Sequence, residues 1–326
     1  MMVGKVSELD KTAIKLKAAR EELGKIVFGQ ENVIDLALIT ILAGGHGLIV
    51  GPPGLAKTKL AASLGTVLGL AEKRIQFTPD LMPADILGAE ILDGDAKGKR
   101  AFRFVKGPVF TQLLMADEIN RASPRTQSAL LQAMQEHIVT VAGHHHALPE
   151  PFHVLATQNP IEQEGTYPLP EAQLDRFLMQ IDISYPPLAA ERQMLFATTG
   201  AAEAVPKQVL IAAELQSAQS LVRDVPVGEQ VTTAILNTIR AARPGQGSAA
   251  YINDAVAWGP SPRAAQSLML CVKARALLQG RLSPSVDDVI ALLEPVLKHR
   301  MALNFAARAE GITVSAIIAK LAATLA

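Results

Sequence analysis

The sequence has little cysteine, few aromatic side chains and no net charge. One cysteine in 326 residues, Cys271, excludes a disulfide within the chain and is typical of a reducing cytosol. It lies in an apolar helical stretch, so we predict that it is a core residue. Aromatic residues make up only 4% of a chain that is 49% hydrophobic, which suits an aliphatic α/β core. The formal net charge is zero and no basic run occurs. Binding to duplex DNA normally leaves a positive surface, so nucleic acid is not expected as the main partner.

The chain also lacks a long uninterrupted apolar run. The longest apolar stretch, residues 36–50, contains three glycines and a histidine and is shorter than the roughly 20 residues of a membrane span. Residues 1–24 alternate charged and apolar side chains, without the continuous apolar segment of a signal peptide. We therefore expect no membrane insertion, no secretory signal and a cytoplasmic location.

The most informative segment that is present is a phosphate-binding loop at residues 47–58, GLIVGPPGLAKT. A short apolar run leads into a glycine-rich turn whose backbone N–H groups can surround phosphates at a helix N-terminus. Lys57 is expected to reach the β- and γ-phosphates, and the Thr58 hydroxyl to ligate Mg²⁺. Ala56 replaces the usual glycine, and we expect an αR-like backbone there to tolerate the methyl group. The predicted contacts of the loop are Gly51, Pro52, Pro53, Gly54, Leu55, Ala56, Lys57 and Thr58.

A second acidic element follows at residues 113–118, LLMADE. Four apolar residues predict a buried parallel strand, and two carboxylates stand at its carboxyl end, where open α/β sheets bind ligands. Asp117 is expected to bind Mg²⁺, and Glu118 to act as the general base on the attacking water. Without the upstream loop, an Asp-Glu pair would more simply cap a helix.

Two further segments carry polar residues next to predicted strands. Residues 152–157, FHVLAT, lead into Gln158 and Asn159, and an amide there can reach the γ-phosphate and the water. Arg176 lies in LPEAQLDRF, residues 169–177, just before the fifth apolar run. Its guanidinium offers a planar charged fork to a phosphate, and its position can face a neighbouring subunit.

Together these segments make the chain resemble the MoxR group of AAA+ ATPases over residues 25–187. The matching motifs are GPPGLAKT with alanine before lysine, DEINRASPRTQSALLQAMQE at 117–136, ATQNP at 156–160 and LPEAQLDRF. The resemblance implies that Asn159 is sensor 1 and that Arg176 is a finger inserted into an adjacent subunit's site. It also implies that Arg263, in GPSPRA at 259–264, is sensor 2, a lid residue that contacts the γ-phosphate.

The resemblance implies further contacts outside the main motifs. Gly29 and Gln30 match the segment that touches the adenine ring. Arg121 and Arg125 match the family pattern and are candidates for sensor or subunit contacts, although solvated helix arginines are the commoner case.

The alternation of apolar runs with helical stretches predicts an α/β fold with a parallel five-stranded sheet. The resemblance implies that this is an AAA+ P-loop NTPase core followed by an all-α lid domain. The core is expected over residues 1–187 and the lid over 188–326, where no buried strand is evident and apolar residues recur at helical spacing. The predicted strands are 47–51, 74–78, 112–116, 152–157 and 177–183.

Two long connections interrupt the predicted core. Residues 85–105 read as a hairpin with Lys97, Lys99 and Arg100 at its turn. Residues 137–149 read as a second hairpin with a turn at Ala142-Gly143, followed by His144, His145 and His146. Neighbouring strand residues point to opposite faces, so the three histidines cannot share one metal ion, and a solvated tip is the preferred interpretation. In the family these are the helix-2 insert and the pre-sensor-1 hairpin, which face the channel of a ring.

The resemblance implies an ATP- and Mg²⁺-dependent ATPase that works as a homo-oligomeric ring, expected to be a hexamer. It implies chaperone-like work on a client or partner protein, one candidate class being proteins with a von Willebrand factor A domain. Two alternatives stay open. One is a DNA-acting motor or loader of the same helix-2-insert clade, with the basic residues 97, 99 and 100 on a pore loop. The other is a scaffold that binds ATP without hydrolysing it.

Overall fold

The computed structural model describes residues 2–94, 100–161, 165–200, 204–245 and 249–325. Lys97 and Lys99 lie outside these ranges. The first part of the chain alternates strands with helices and includes a short 3₁₀ helix at Ile119–Arg121. In chain order its elements are α1 (Met2–Gly24), α2 (Glu31–Leu42), β1 (Gly47–Val50), α3 (Lys57–Leu68), β2 (Glu72–Gln76), α4 (Pro83–Leu87), β3 (Gly88–Gly94), β4 (Arg100–Lys106), β5 (Leu113–Asp117), α5 (Pro124–Glu136), β6 (Ile138–Val141), β7 (His144–Ala147), β8 (His153–Gln158), α6 (Glu171–Leu174) and β9 (Met179–Asp182).

The second part of the chain is mainly helical, with a 3₁₀ turn at Lys298–Arg300. Its elements are α7 (Leu188–Thr199), α8 (Ala212–Asp224), α9 (Glu229–Ala241), α10 (Ala250–Ala255), β10 (Val256–Trp258), α11 (Pro262–Leu278), α12 (Val286–Leu297), β11 (Ala302–Leu303), α13 (Phe305–Ala309) and α14 (Val314–Ala323). The sequence predicted helices alone here, and the short antiparallel pair of β10 and β11 corrects that. The division at residues 187 and 188 stays a prediction.

The central sheet has five parallel strands in the order β2-β5-β8-β1-β9, which confirms the predicted fold. All five residues of β5 are buried, as expected for a parallel strand covered on both faces. The predicted strand positions were close, but β2 begins two residues earlier than predicted and β9 is shorter at both ends. The order brings the carboxyl ends of β1, β5 and β8 side by side, where the motif residues follow.

The two predicted hairpins are confirmed within the described ranges. β3 pairs with β4, and β6 pairs with β7 around Ala142 and Gly143, which both have positive φ. The hairpins contact each other, because Phe104 stacks on His146 with ring centroids 3.9 Å apart. The insert and the second hairpin therefore pack against each other.

One hydrophobic core extends from the sheet into the helical part of the chain. It joins Ile49 and Leu155 of the sheet to Leu38 of α2, Leu268 of α11 and Leu292 of α12. Cys271 belongs to this core, and burial raises the pKa of its thiol to about 12, which confirms its predicted structural role. Within the described ranges, every helix is too short or too polar to cross a bilayer.

Two buried histidines lie where the sheet meets the helical part. The ring of His46 donates from Nε2 to the Met134 carbonyl (3.1 Å) and accepts at Nδ1 from the Val154 amide (3.0 Å). The ring of His153 donates from Nδ1 to the Gly45 carbonyl (2.9 Å) and accepts at Nε2 from the Gln219 amide of α8 (3.0 Å). Each ring thus makes its full set of bonds as a neutral imidazole.

Candidate nucleotide-binding site

The loop after β1 has the shape of a phosphate cradle. A Cβ added at Gly51 would lie 2.5 Å from the Ile183 carbonyl oxygen, so only glycine fits beside β9. Lys57 opens α3, and its ammonium donates to the Gly51 carbonyl at 2.8 Å. The side chain is only 9% exposed. A buried cation is therefore held against the loop where phosphates are expected.

Ala56 corrects one expectation about this loop. Its φ of 56° and ψ of 21° are left-handed, whereas the sequence interpretation assumed an αR-like backbone. An L-residue with a Cβ pays roughly 1–2 kcal/mol in that region. The loop geometry that turns the chain into α3 therefore outweighs the local preference of alanine.

The acidic pair stands at the carboxyl end of β5, as predicted. Asp117 accepts from the Thr157 hydroxyl at one oxygen (2.5 Å) and from the Arg74 guanidinium at the other (2.7 Å). Glu118 has a left-handed φ of 55° and accepts from Gln76 (2.8 Å) and Arg121 (2.9 Å) at the same oxygen. Both carboxylates thus lie within a network of cationic and amide donors.

These side chains line one cleft of about 380 Å³. Asn159 lines it from the end of β8, where it is 4% exposed and accepts from the Ile161 amide at 3.1 Å. The structure therefore brings together the predicted residues from three strand ends. The lining residues are Pro53, Gly54, Leu55, Ala56, Lys57, Thr58, Lys59, Arg74, Gln76, Asp117, Glu118 and Asn159.

A second, more apolar pocket of about 270 Å³ adjoins this cleft, sharing Gly54, Leu55, Ala56 and Lys59 with it. Gln30 lines this pocket and donates to the Ser184 carbonyl at 2.7 Å. Gly29 supports it from behind, since its φ is +65° and a Cβ there would lie 2.4 Å from the Ala190 Cβ. The other lining residues are Ile26, Val27, Phe28, Tyr185, Pro186, Glu191, Met194 and Thr198. Size, apolar lining and position beside the phosphate cradle suit an adenine ring.

The two remaining candidates, Arg176 and Arg263, lie elsewhere. They line a separate cavity of about 130 Å³ with Met134 and Gln135. Neither is among the residues that line the cleft holding Lys57. Arg176 precedes the amino end of β9, whereas the cleft lies at the carboxyl ends of its neighbours. The structure therefore brings the two arginines together and separates them from the other site residues of the same chain.

Known proteins resemble this chain in sequence and in fold. The family described as ATPase family associated with various cellular activities (AAA) matches residues 46–179, and an AAA lid domain matches residues 248–321. The chain is 38% identical to chaperone MoxR1 of Mycobacterium tuberculosis over 95% of this chain and 82% of that protein. It is 39% identical to YeaC of Bacillus subtilis over 93% and 92% of the two chains.

The chain belongs to the MoxR family of AAA+ ATPases. The crystal structure of a candidate ATPase from Cytophaga hutchinsonii agrees, with 37% identity, a TM-score of 0.90 and coverage of 98% of this chain and 97% of that one. Nucleotide binding follows from the family, and the cleft and its neighbouring pocket are the candidate site for it in this MoxR-family ATPase.

Sequence reasoning missed Arg74, Gln76 and Thr157 of this MoxR-family ATPase. Arg74 and Gln76 lie two residues apart on β2, so they share a face, and Gln76 stands opposite Asp117 in the register. Polar residues at this spacing at a strand's carboxyl end were the available signal. The predicted β2 began two residues too late. Arg74 and Gln76 therefore fell near the start of the predicted strand, and their position at its carboxyl end was not recognised.

The remaining arginines and histidines named in the sequence analysis lie outside the nucleotide cleft. Arg121 pairs with Glu118, whereas Arg125 is exposed on α5. The turn at Ala142 and Gly143 is exposed with His144 and His145, as predicted for a solvated tip, and His145 bonds Thr140 (2.9 Å). His146 is half-buried and packs on Phe104. Among the described residues, no group of three or more His, Cys, Asp or Glu side chains could hold a metal ion.

Proposed function

We propose that this chain is a ring-forming ATPase that uses Mg²⁺-dependent hydrolysis of ATP to remodel or activate a partner protein. The observation that carries the proposal is the division of one catalytic set between two places. The cleft holds Lys57, Asp117, Glu118 and Asn159, while Arg176 lies in a separate cavity. A complete site then needs a second subunit.

Within its own cleft the chain supplies binding and the base. The ammonium of Lys57 turns from the Gly51 carbonyl to the β- and γ-phosphates of ATP. The Thr58 hydroxyl and an Asp117 carboxylate oxygen suit Mg²⁺, which prefers oxygen ligands, and the ion when bound offsets phosphate charge. Glu118 accepts the proton of the attacking water, and the Asn159 amide orients that water.

The arginines act on the site of the neighbouring subunit. Arg263 shares its cavity with Arg176, so we assign both to the neighbour's γ-phosphate, in place of a contact by Arg263 within its own chain. An arginine supplied in trans typically raises turnover by about three to five orders of magnitude. Activity should therefore depend on assembly, for which a hexameric ring is the expected form.

The test is ATP turnover per subunit as a function of protein concentration, with particle size measured on the same samples. Turnover should rise as the assembly forms and vanish in Glu118→Gln. Arg176→Ala should bind ATP normally and lose at least 1,000-fold in turnover, by the usual value of such an arginine. Arg240→Ala, an exposed arginine on α9, is the matched control.

Two results would contradict the shared site. One is turnover per subunit that does not change with concentration. The other is an Arg176→Ala variant that is as active as Arg240→Ala. ATP-driven assembly without turnover would favour the scaffold alternative.

The partner is proposed by family likeness, and a protein with a von Willebrand factor A domain is the first candidate. The two contacting hairpins are its proposed docking site, and the cytoplasm is the proposed location. The DNA-acting alternative keeps one described basic residue, Arg100, which is exposed at the start of β4, whereas Arg103 is paired with Asp93 at 2.8 Å. Capture of clients by assemblies of Glu118→Gln, which bind ATP without turning it over, is the direct assay.

A further inference from the structure

A fully buried arginine joins the helical part of the chain to the segment that carries Arg176. Arg300, in the 3₁₀ turn after α12, is 1% exposed. Burying a guanidinium is costly unless every N–H group finds an acceptor. Here all five do. The acceptors are the Asp175 carboxylate (2.7 Å), the Ser267 hydroxyl (3.1 Å) and the carbonyls of Val296 (2.6 Å), Phe177 (2.6 Å) and Leu178 (3.0 Å).

Asp175 is the centre of this network. One carboxylate oxygen accepts from Arg300, and the other accepts from the Ser261 hydroxyl at 3.1 Å. Ser261 is the N-cap of α11, and its hydroxyl oxygen accepts from the backbone N–H of Arg263 at 3.2 Å. Asp175 is thus bonded covalently to Arg176 and through one serine to Arg263.

The network connects two cations, Arg176 and Arg263, that line the same cavity of about 130 Å³. Like charges repel each other, and the network attaches the segments that carry both arginines to the same carboxylate. A salt bridge at such depth is weak evidence for stability, because apolar replacements often serve as well, whereas fixing one arrangement is its better-attested role.

We propose that Asp175, Ser261 and Arg300 form a latch that holds Arg176 and Arg263 as one unit, so that both reach the neighbouring subunit's phosphate together. This rests on the proposed function, in which both arginines act in trans. The latch residues are positioning residues, since none of them lines the nucleotide cleft. A change in the latch should therefore lower turnover when it is made in the subunit that supplies the arginines. It should have no effect when it is made in the subunit that binds the ATP.

The experiment tests the role of each of these two subunits by itself. Arg176→Ala keeps its own cleft and lacks the finger, while Glu118→Gln lacks the base and keeps both arginines. Mixed before ATP is added, the two inactive chains form interfaces in which the cleft of the first meets the arginines of the second. Ser261→Ala is then added to either chain. It removes the bond from α11 to Asp175 and leaves Arg300 paired.

The expected result is asymmetric. On the Glu118→Gln chain, Ser261→Ala should lower turnover of the mixture by about three- to ten-fold, the factor that one lost hydrogen bond represents. On the Arg176→Ala chain it should leave turnover of the mixture at the level of the unmodified pair. Ser285→Ala, which removes the N-cap serine of α12 in the same lid, should change neither mixture.

Three outcomes would overturn the latch. Equal losses for both placements would reveal a general defect of the lid. No loss for either placement would show that the bond to Asp175 does not position the arginines. If the unmodified pair of inactive chains gives no turnover at any ratio, the shared site itself is wrong and the latch is refuted with it. Affinity of each chain for fluorescent ADP, expected to be unchanged by Ser261→Ala, checks that the cleft is intact.

Discussion

Lowering the pH from 7.5 to 5 should destabilise this protein through its buried histidines. These are His46 and His153, where the sheet meets the helical part, and His299, whose pKa burial also lowers well below its usual value. The pKa of His46 is lowered to about 3 and that of His153 to about 4. Burial is the largest cause, and neighbouring histidines contribute, with the ring centroid of His137 lying 6.2 Å from that of His46. A proton added to the ring of His46 or His153 would meet an N–H donor, from Val154 or Gln219. The folded protein therefore keeps both rings neutral at pH 5.

The magnitude follows from the difference in proton binding. In the unfolded chain a histidine titrates near pH 6.5, so between pH 6.5 and about 4 the unfolded state binds more protons than the folded state. The free energy of unfolding must then fall as the pH falls through that window. At pH 5 the loss is about 2 kcal/mol for each histidine and about 4 kcal/mol for His46 and His153 together. That is a large part of the 5–15 kcal/mol typical of folded proteins.

The assay is urea denaturation followed by circular dichroism at pH 7.5 and pH 5. Carboxylates also respond over this range, so the informative quantity is the difference between variants. His153→Gln should reduce the pH-dependent loss by about 2 kcal/mol. His144→Gln, on an exposed position of β7, should leave it unchanged. If His153→Gln shows the same pH-dependent loss as the native chain, the ring of His153 is not held neutral and the reasoning is refuted.

Three further predictions concern the nucleotide site. Gly29→Ala forces a left-handed alanine against Ala190 and should weaken binding of fluorescent ADP by about ten-fold or more; unchanged affinity would contradict the assigned pocket. Ala56→Gly should raise the free energy of unfolding by about 0.5–1 kcal/mol in urea, since relief of left-handed strain exceeds the entropy cost of glycine; a loss of stability would contradict it. Arg74→Gln frees one carboxylate oxygen of Asp117 and should strengthen Mn²⁺ binding to the ADP-bound protein by about five-fold. Paramagnetic resonance measures this affinity, and weaker binding would show that Arg74 supports the site.

Local patterns were enough to predict the parallel sheet and most of the residues that line the cleft. A continuous apolar run followed by a polar residue marks the carboxyl end of a buried strand, and Asp117 and Asn159 were found in this way. Backbone conformation at Ala56 was not predictable, because the surrounding loop and not the residue itself sets its φ. The contact between Asp175 and Arg300 was also hidden. It links positions 125 residues apart, and no short pattern records such a pairing.

The hydrophobic core that runs from the sheet into α11 and α12 has a mechanical consequence. Separating the sheet from α11 and α12 would expose a large apolar area to water. The free-energy cost is about 25 cal/mol for each Å² exposed. A conformational response to ATP within one protomer is therefore expected to be small. In an assembly, motion would then be expected mainly at the interfaces between protomers. Each protomer would rotate as a rigid body and would carry its two arginines toward or away from the cleft of its neighbour.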